Sequence, residues 1–288
     1  MRPSRPPIGA VWGWLQTVAG RSATEALRSG GALVLSPHQD DETIGCGLVM
    51  AEKASRAIPV AVAVATDGRA GWFSPAPRPA ANDIARIRQA EWHRALDALA
   101  VPRSDRFEFG FPDGGLSDHE SELTDRICEL LQRVRPSQVF VTRSGDPHPD
   151  HRTLSLAARR AVTQVYDSDP AGQDARPTSP PSPFSVGPRP QVFTYRVYPG
   201  EGLWPDGRPS RVGFGRTVVQ VLRSVLRLHR HRPLLLRAPG SAPEKSAAID
   251  AYDSQRALLR GELRYVWKTD VELYWPTNGE DSMGTPGI

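Results

Sequence analysis

From Gly31 to Val165 the chain alternates short apolar runs with longer amphipathic stretches, and this rhythm constrains the fold more than any other feature. Ala32–Ser36 (ALVLS), Pro59–Thr66 (PVAVAVAT), Phe107–Phe109 and Gln138–Thr142 (QVFVT) read as strands bounded by turn residues. Between and after them, Thr43 to Arg56, Asp83 to Leu99, Ser117 to Val134 and Arg152 to Val165 read as helices. In the second of these, Ile84, Ile87, Trp92, Ala95, Leu96 and Leu99 recur near helical spacing. Such alternation predicts an α/β fold: a Rossmann-like three-layer sandwich whose mostly parallel sheet is covered by helices on both faces.

The flanking regions are less regular. Residues 1–30 are predicted as an N-terminal helical extension that packs its tryptophans on a single domain spanning 31–275. Gly13, Gln16 and Thr17 interrupt its apolar centre, against a signal peptide. Residues 167–189, rich in proline, glycine and serine, read as a long surface insertion. Gln191–Val197 resumes as a strand, Ser246 to Leu259 reads as a last helix, Tyr265 to Trp275 is aromatic-rich, and 276–288 is a flexible tail.

Composition narrows the class. With 39% hydrophobic and 24% charged residues the chain has enough apolar matter for a full core, which excludes a wholly disordered protein. The longest clean apolar run, Ile58 to Ala65, is far short of the ~20 residues a bilayer-spanning helix needs. Cys46 and Cys128 cannot make a disulfide framework or a four-thiolate metal site, and are expected to be buried small apolar residues. The net charge of +4 has a local origin, since eight arginines and no acid lie between Arg208 and Arg237. No nucleic-acid-binding motif accompanies them, so the basicity does not point to nucleic acid. Within this segment (208–237), Val218, Val219, Leu222, Val225 and Leu226 share a helical face. The stretch 214–232 suits a helix packed on the domain, an interfacial helix making peripheral contact with anionic lipid, or a lid over a phosphate; the sequence leaves all three open. The expected location is cytoplasmic, with membrane association through that stretch as the variant.

Two polar clusters carry the chemistry. Pro37-His38-Gln39-Asp40-Asp41-Glu42 follows the first strand, and Asp146-Pro147-His148-Pro149-Asp150-His151 follows the Gln138–Thr142 strand. In an open parallel sheet the loops leaving the strand C-termini lie along one edge, where ligands bind, so clusters a hundred residues apart can meet. A catalytic zinc takes three protein ligands, mixing histidine and carboxylate, and keeps one position for water. His38 and Asp41 can reach one point from a single turn, and a histidine of the second cluster completes the set. Zinc lowers the pKa of bound water to about 7 in favourable sites, a nearby carboxylate can act as general base, and a second histidine can stabilise an oxyanion. The plainer alternative for Asp40 and Asp41 is helix capping, and for His148 and His151 an ordinary surface loop. Three consecutive acids beside a histidine exceed what a cap needs.

These residues resemble the LmbE-like, or PIG-L, zinc-dependent N-deacetylases, which remove acetyl groups from N-acetylglucosamine-containing substrates. The family's (A/S)HPDDE signature appears as Ser36 to Glu42, with Pro37 before the histidine and Gln39 in place of the usual proline. The HPDH motif is intact at His148–His151. The resemblance implies His38, Asp41 and His151 as zinc ligands and Asp40 as the base. It makes a protonated His148 the oxyanion stabiliser, with Asp150 holding its ring. Thr66-Asp67-Gly68, the Arg88/Glu91 pair, Phe111-Pro112-Asp113-Gly114 and Lys245 to Gln255 extend the match, with Tyr252 where a histidine is expected. Arg69 and Asp113 are candidate substrate contacts, although Asp113 in Pro-Asp-Gly-Gly also suits a plain turn. The donor set alone also accommodates Fe²⁺ or Co²⁺. The implied substrate is an amino sugar or glycoconjugate; a larger acyl group, a thiol-conjugate amide and a non-catalytic sugar-binding role are the alternatives. Gly45 and Gly47 are expected to permit close helix–sheet packing, Gln39 to send its amide to solvent or substrate, and His93, His119, His229 and His231 to have no role.

Overall fold

The computed structural model describes residues 21–167, 188–197, 233–260 and 270–277. Residues 1–20, most of the proline-rich insertion, the 214–232 stretch with His229 and His231, and the tail beyond 277 therefore lie outside the described residues.

Among the described residues eight strands form one sheet: β1 (Arg21–Ser22), β2 (Ala32–Ser36), β3 (Val60–Thr66), β4 (Arg106–Phe111), β5 (Gln138–Thr142), β6 (Gln191–Tyr195), β7 (Leu234–Arg237) and β8 (Val271–Pro276). Their order across the sheet is β1-β7-β8-β6-β5-β2-β3-β4. From β4 to β6 every neighbouring pair is parallel, whereas β8 runs antiparallel to both β6 and β7. The helices are α1 (Thr24–Arg28), α2 (Asp41–Ser55), α3 (Ala81–Ala98), α4 (Glu120–Val134), α5 (Pro149–Tyr166), α6 (Ala242–Asp250) and α7 (Arg256–Arg260).

The central strands are buried on both faces, which is why they read as continuous apolar runs. Alternation still sorts them: Ala32 and Val34 of β2 join a core with Cys46, Leu48, Trp92 and Leu96 of α2 and α3. Leu33 and Leu35 join the opposite core, with Leu123, Ile127, Leu154 and Ala158 of α4 and α5. The three-layer α/β expectation is thus met. Gly45 permits close helix–sheet packing as expected, since a Cβ there would lie 2.1 Å from Tyr195 Cδ2 of β6, whereas Gly47 permits close packing on a helix, a Cβ there lying 2.8 Å from Lys245 Cγ of α6.

The C-terminal part differs from expectation. β7 is an apolar LLLR run at the end of the basic segment, where no strand was expected, and β8 lies in the aromatic-rich stretch. Both gain their strand conformation by pairing with β1, β6 and each other, so nothing local marks them. The helix expected over 246–259 breaks after Asp250, because Tyr252 to Gln255 turn to reach other elements. Cys46 is fully buried as expected, while Cys128 is only half-buried, its thiol 3.3 Å from Gln164 Oε1. Among the described residues no helix is long and apolar enough to cross a membrane.

Candidate active site

The strand order places the two clusters together. Going along the chain, β2, β3 and β4 add outward in one direction, while β5 and β6 lie on the other side of β2. The direction reverses between β2 and β5, and a crevice opens there at the strand C-termini. The loop from β2 to α2 carries His38 to Asp41, and the loop from β5 to α5 carries Asp146 to His148.

Asp41 is the meeting point. Its Oδ2 lies 3.1 Å from His38 Nδ1, 3.3 Å from His151 Nε2, and accepts the backbone N–H of His38 at 3.1 Å. Asp41 and His151 are almost wholly buried, at 3% and 0% exposure. Burial alone would raise the Asp41 carboxyl, but His151 and His38 hold it well below the usual carboxylate range. The same contacts raise His151 to about 9 against the opposing effect of burial, with Asp146 Oδ2 adding to them 3.3 Å from its Nδ1. Two imidazole nitrogens, each beside the same buried carboxylate oxygen, make a donor set whose chemistry suits a divalent cation such as zinc. Nitrogens of His38, His148 and His151 also lie within 4.8 Å of one another.

The other nitrogen of His38, Nε2, faces two carboxylates, Asp113 Oδ1 and Asp150 Oδ2, each at 3.1 Å. A carboxylate on the far nitrogen of a metal-binding histidine fixes the ring's tautomer and orientation. Asp150 is itself anchored, accepting the backbone N–H of Gly114 at 2.8 Å and of Leu116 at 3.2 Å. The Asp150 carboxylate thus serves the His38 ring, and Asp150 meets the His148 ring through its backbone N–H rather than its side chain. His148 is the N-cap of α5, with Pro149 next, and its Nδ1 accepts the backbone N–H of Asp150 at 3.2 Å. Burial, reinforced by His38 and His151, lowers the His148 pKa to about 4. That direction disfavours the imidazolium expected from the sequence, and with Nδ1 accepting the Asp150 N–H a neutral ring carries its proton on Nε2.

Asp40 stands apart from the ligand set. Burial pushes its carboxyl up to about 8, against the pull of Arg88 3.3 Å away. Arg88 also donates to the backbone carbonyl of Gln39. Arg88 had no role assigned from sequence, yet a signal was present: with Ile84, Glu91, Trp92 and Ala95 it lies on the buried face of α3, where a charge is costly unless paired. Asp146 was likewise passed over within its cluster. Gln39 is 2% exposed and donates from Nε2 to the Thr66 carbonyl at 3.0 Å, so its amide does not reach solvent.

The two substrate candidates separate. Asp113 lies inside the cluster, against His38 and accepting the Ala70 N–H at 3.0 Å. Arg69 is on the exposed rim, ion-paired with Asp67. His93 is occupied 3.3 Å from Glu108, away from the site.

Comparison with known proteins agrees with this geometry. Residues 33–162 match the family described as PIG-L: GlcNAc-PI de-N-acetylase. The chain is 31% identical over 138 residues to a probable N-acetyl-alpha-D-glucosaminyl L-malate deacetylase 2 of Bacillus cereus, covering 46% of this chain and 61% of that protein. It is 30% identical over 165 residues to the 1D-myo-inositol 2-acetamido-2-deoxy-alpha-D-glucopyranoside deacetylase of Nocardia farcinica, covering 48% and 55%. The matches thus span little more than half of these relatives' length. Among solved structures, N,N'-diacetylchitobiose deacetylase of Pyrococcus horikoshii shares the fold, with a TM-score of 0.64 at 17% identity over 99% of this chain and 98% of that one.

Proposed function

We propose that this chain, whose residues 33–162 match the PIG-L family, is a metal-dependent hydrolase that removes the N-acetyl group from an N-acetylglucosamine-type amino sugar. The observation that carries the reading is the convergence of His38, from the loop after β2, and His151, from the first turn of the helix after β5, on one oxygen of Asp41. Relatives that match this same stretch are named as amino-sugar deacetylases.

His38, Asp41 and His151 would hold the metal, which as zinc would supply Lewis acidity to the amide carbonyl and lower the pKa of water. Asp40 acts in its ionised form, which Arg88 and a bound cation would favour against the burial that raises its carboxyl, and takes a proton from the attacking water as its oxygen adds to the acetyl carbon. A carboxyl raised by burial holds that proton well enough to return it to the nitrogen as the C–N bond breaks. His148, fixed by the Asp150 N–H on Nδ1, donates from neutral Nε2 to the developing oxyanion. Asp113 and Asp150 keep His38 in one tautomer throughout. Products are acetate and the free amine. Arg69 on the rim is proposed to meet the more distant part of the substrate.

The test is amine release from free, nucleotide-linked and lipid-linked N-acetylamino sugars, with and without added zinc, iron or cobalt. Asp40→Asn is expected to abolish turnover while about one metal per chain is retained. Comparison of acetate release with that of longer acids from matched substrates decides the acyl group, and vesicle-presented against soluble substrate decides whether 214–232 meets lipid. Wild-type-like activity in Asp40→Asn refutes the base assignment.

A further inference from the structure

Asp40 is held in an unusual backbone conformation, with φ of 119° and ψ of −32°. That region is open to glycine and costly for a residue with a side chain, so the surroundings must impose it. The constraints on Asp40 are traceable. Its N–H donates to Glu42 Oε2 at 3.2 Å, its carbonyl accepts from Ile44 N–H at 2.9 Å, and its carboxylate meets Arg88 at 3.3 Å.

Glu42 is fully buried, two residues beyond Asp40, and would swing freely on its two methylenes if nothing else held it. Its other oxygen, Oε1, accepts the Tyr252 hydroxyl at 2.6 Å and the Thr43 hydroxyl at 2.7 Å. Tyr252 is itself 2% exposed and lies in the turn that breaks the C-terminal helix. The same turn grips the other arm of Asp40. Ser254 donates to Glu91 from its N–H at 2.7 Å and from its hydroxyl at 2.5 Å. Glu91 lies one helical turn beyond Arg88 on α3, and Gln255 Nε2 donates to the Gly71 carbonyl at 3.2 Å. One short turn, more than 200 residues downstream, is thus bonded to both elements that set the Asp40 backbone and carboxylate.

We infer that Tyr252, acting through Glu42, is a positioning residue that holds Asp40 in this backbone conformation, with its carboxylate against Arg88 and next in the chain to Asp41 of the His38/Asp41/His151 cluster. The inference rests on the proposed role of Asp40 for its kinetic consequence, but the geometry is testable without activity. Neither Tyr252 nor Glu42 touches the clustered histidines, so metal binding and positioning of the base separate.

The experiment compares wild type, Tyr252→Phe, Glu42→Gln and Ser254→Ala, with Tyr252→Phe also made in an Asp40→Asn background. Backbone hydrogen exchange of the 37–44 peptide and zinc affinity are measured first. In Tyr252→Phe exchange of that peptide is expected to rise while β3 stays protected, with zinc affinity changed less than about threefold. Turnover should show kcat reduced roughly tenfold with KM within about twofold, the pattern of an interaction expressed in the transition state. The Tyr252→Phe loss should vanish in the Asp40→Asn background, which a general packing defect would not produce. Unchanged exchange at 37–44 overturns the inference, as does an equal Tyr252→Phe loss with and without Asp40. A wild type inactive on every N-acetylamino sugar refutes the proposed function instead, and leaves the exchange result to decide the positioning. If Tyr252→Phe does not fold, Glu42→Gln and Ser254→Ala, which release the two arms separately, decide it by the same readouts.

Discussion

Lys245 and Glu272 form an ion pair at 2.7 Å, with exposures of only 2% and 4%, and the pair is built into the backbone of α2. Lys245 Nζ donates to the Ile44 carbonyl at 2.9 Å. Glu272 accepts the Leu48 N–H at 2.8 Å, the Val49 N–H at 3.0 Å and the Tyr274 hydroxyl at 2.6 Å. The acceptor and donor of the Ile44–Leu48 helical rung are therefore each bonded to one member of the pair. Removing one partner of a buried pair costs about 3–5 kcal/mol, because the other charge stays buried. Lys245→Met leaves Glu272 with three donors but no cation, and takes a donor from Ile44, so it belongs near the lower end. Glu272→Met strands the Lys245 ammonium on a single carbonyl and takes the acceptor from Leu48 and Val49, so it belongs near the upper end. In the double variant, Ile44 and Leu48 can bond directly across their own rung, and no charge remains. Its cost should fall short of the sum of the singles by about 2–3 kcal/mol, a coupling of the size seen for residues in one network. Urea unfolding followed by circular dichroism measures this, provided the m-value is constant across the four proteins. Strict additivity, or a Lys245→Met cost below about 1 kcal/mol, would refute the reasoning.

Gly45→Ala places a methyl where Tyr195 Cδ2 stands 2.1 Å away; forcing Tyr195 aside, off the Leu35 carbonyl its hydroxyl meets at 2.9 Å, should cost about 1–3 kcal/mol. A thermal melt checks it, and an unchanged midpoint means that α2 shifts freely over β6. Stripping the metal with a chelator should abolish turnover reversibly; free metal at about 100 times its Kd should stabilise the folded chain by about 2.7 kcal/mol, which a melt with and without zinc detects. A midpoint indifferent to zinc would argue against the His38/Asp41/His151 set. Gln39→Pro gives up the bond to Thr66 but also removes a buried Oε1 that has no partner among the described residues, and stiffens the unfolded chain. These effects offset, so stability should stay within about 1 kcal/mol and turnover on a small substrate within a few-fold; a tenfold loss of zinc affinity would show that Gln39 sets the His38 geometry.

Much of the molecule was legible because local chemistry and final structure agree. β2 and β5 begin and end where their apolar runs do, since a strand buried on both faces has no polar position to blur the pattern. The two polar clusters were legible because carboxylates and histidines at that density have few other uses after a buried strand. What sequence could not decide was which carboxylate serves which ring. Asp150 is two residues from His148 in the chain, but the start of α5 aims its side chain across the crevice to His38, 112 residues away. The charge state of His148 was equally hidden, because it depends on the desolvation and the neighbouring rings that assembly creates. β7 and β8 have no local signature, since their conformation comes from partners far along the chain. Tyr252 shows the same limit most plainly. Read along the sequence it stands where a histidine was expected, and only the break after α6 turns its hydroxyl onto Glu42. Propensity and periodicity report what a residue does with neighbours a few positions away. Partners more than a hundred residues apart are chosen by the packing of helices on a sheet, and that choice set which groups meet around His38, Asp41 and His151 and the conformation of Asp40.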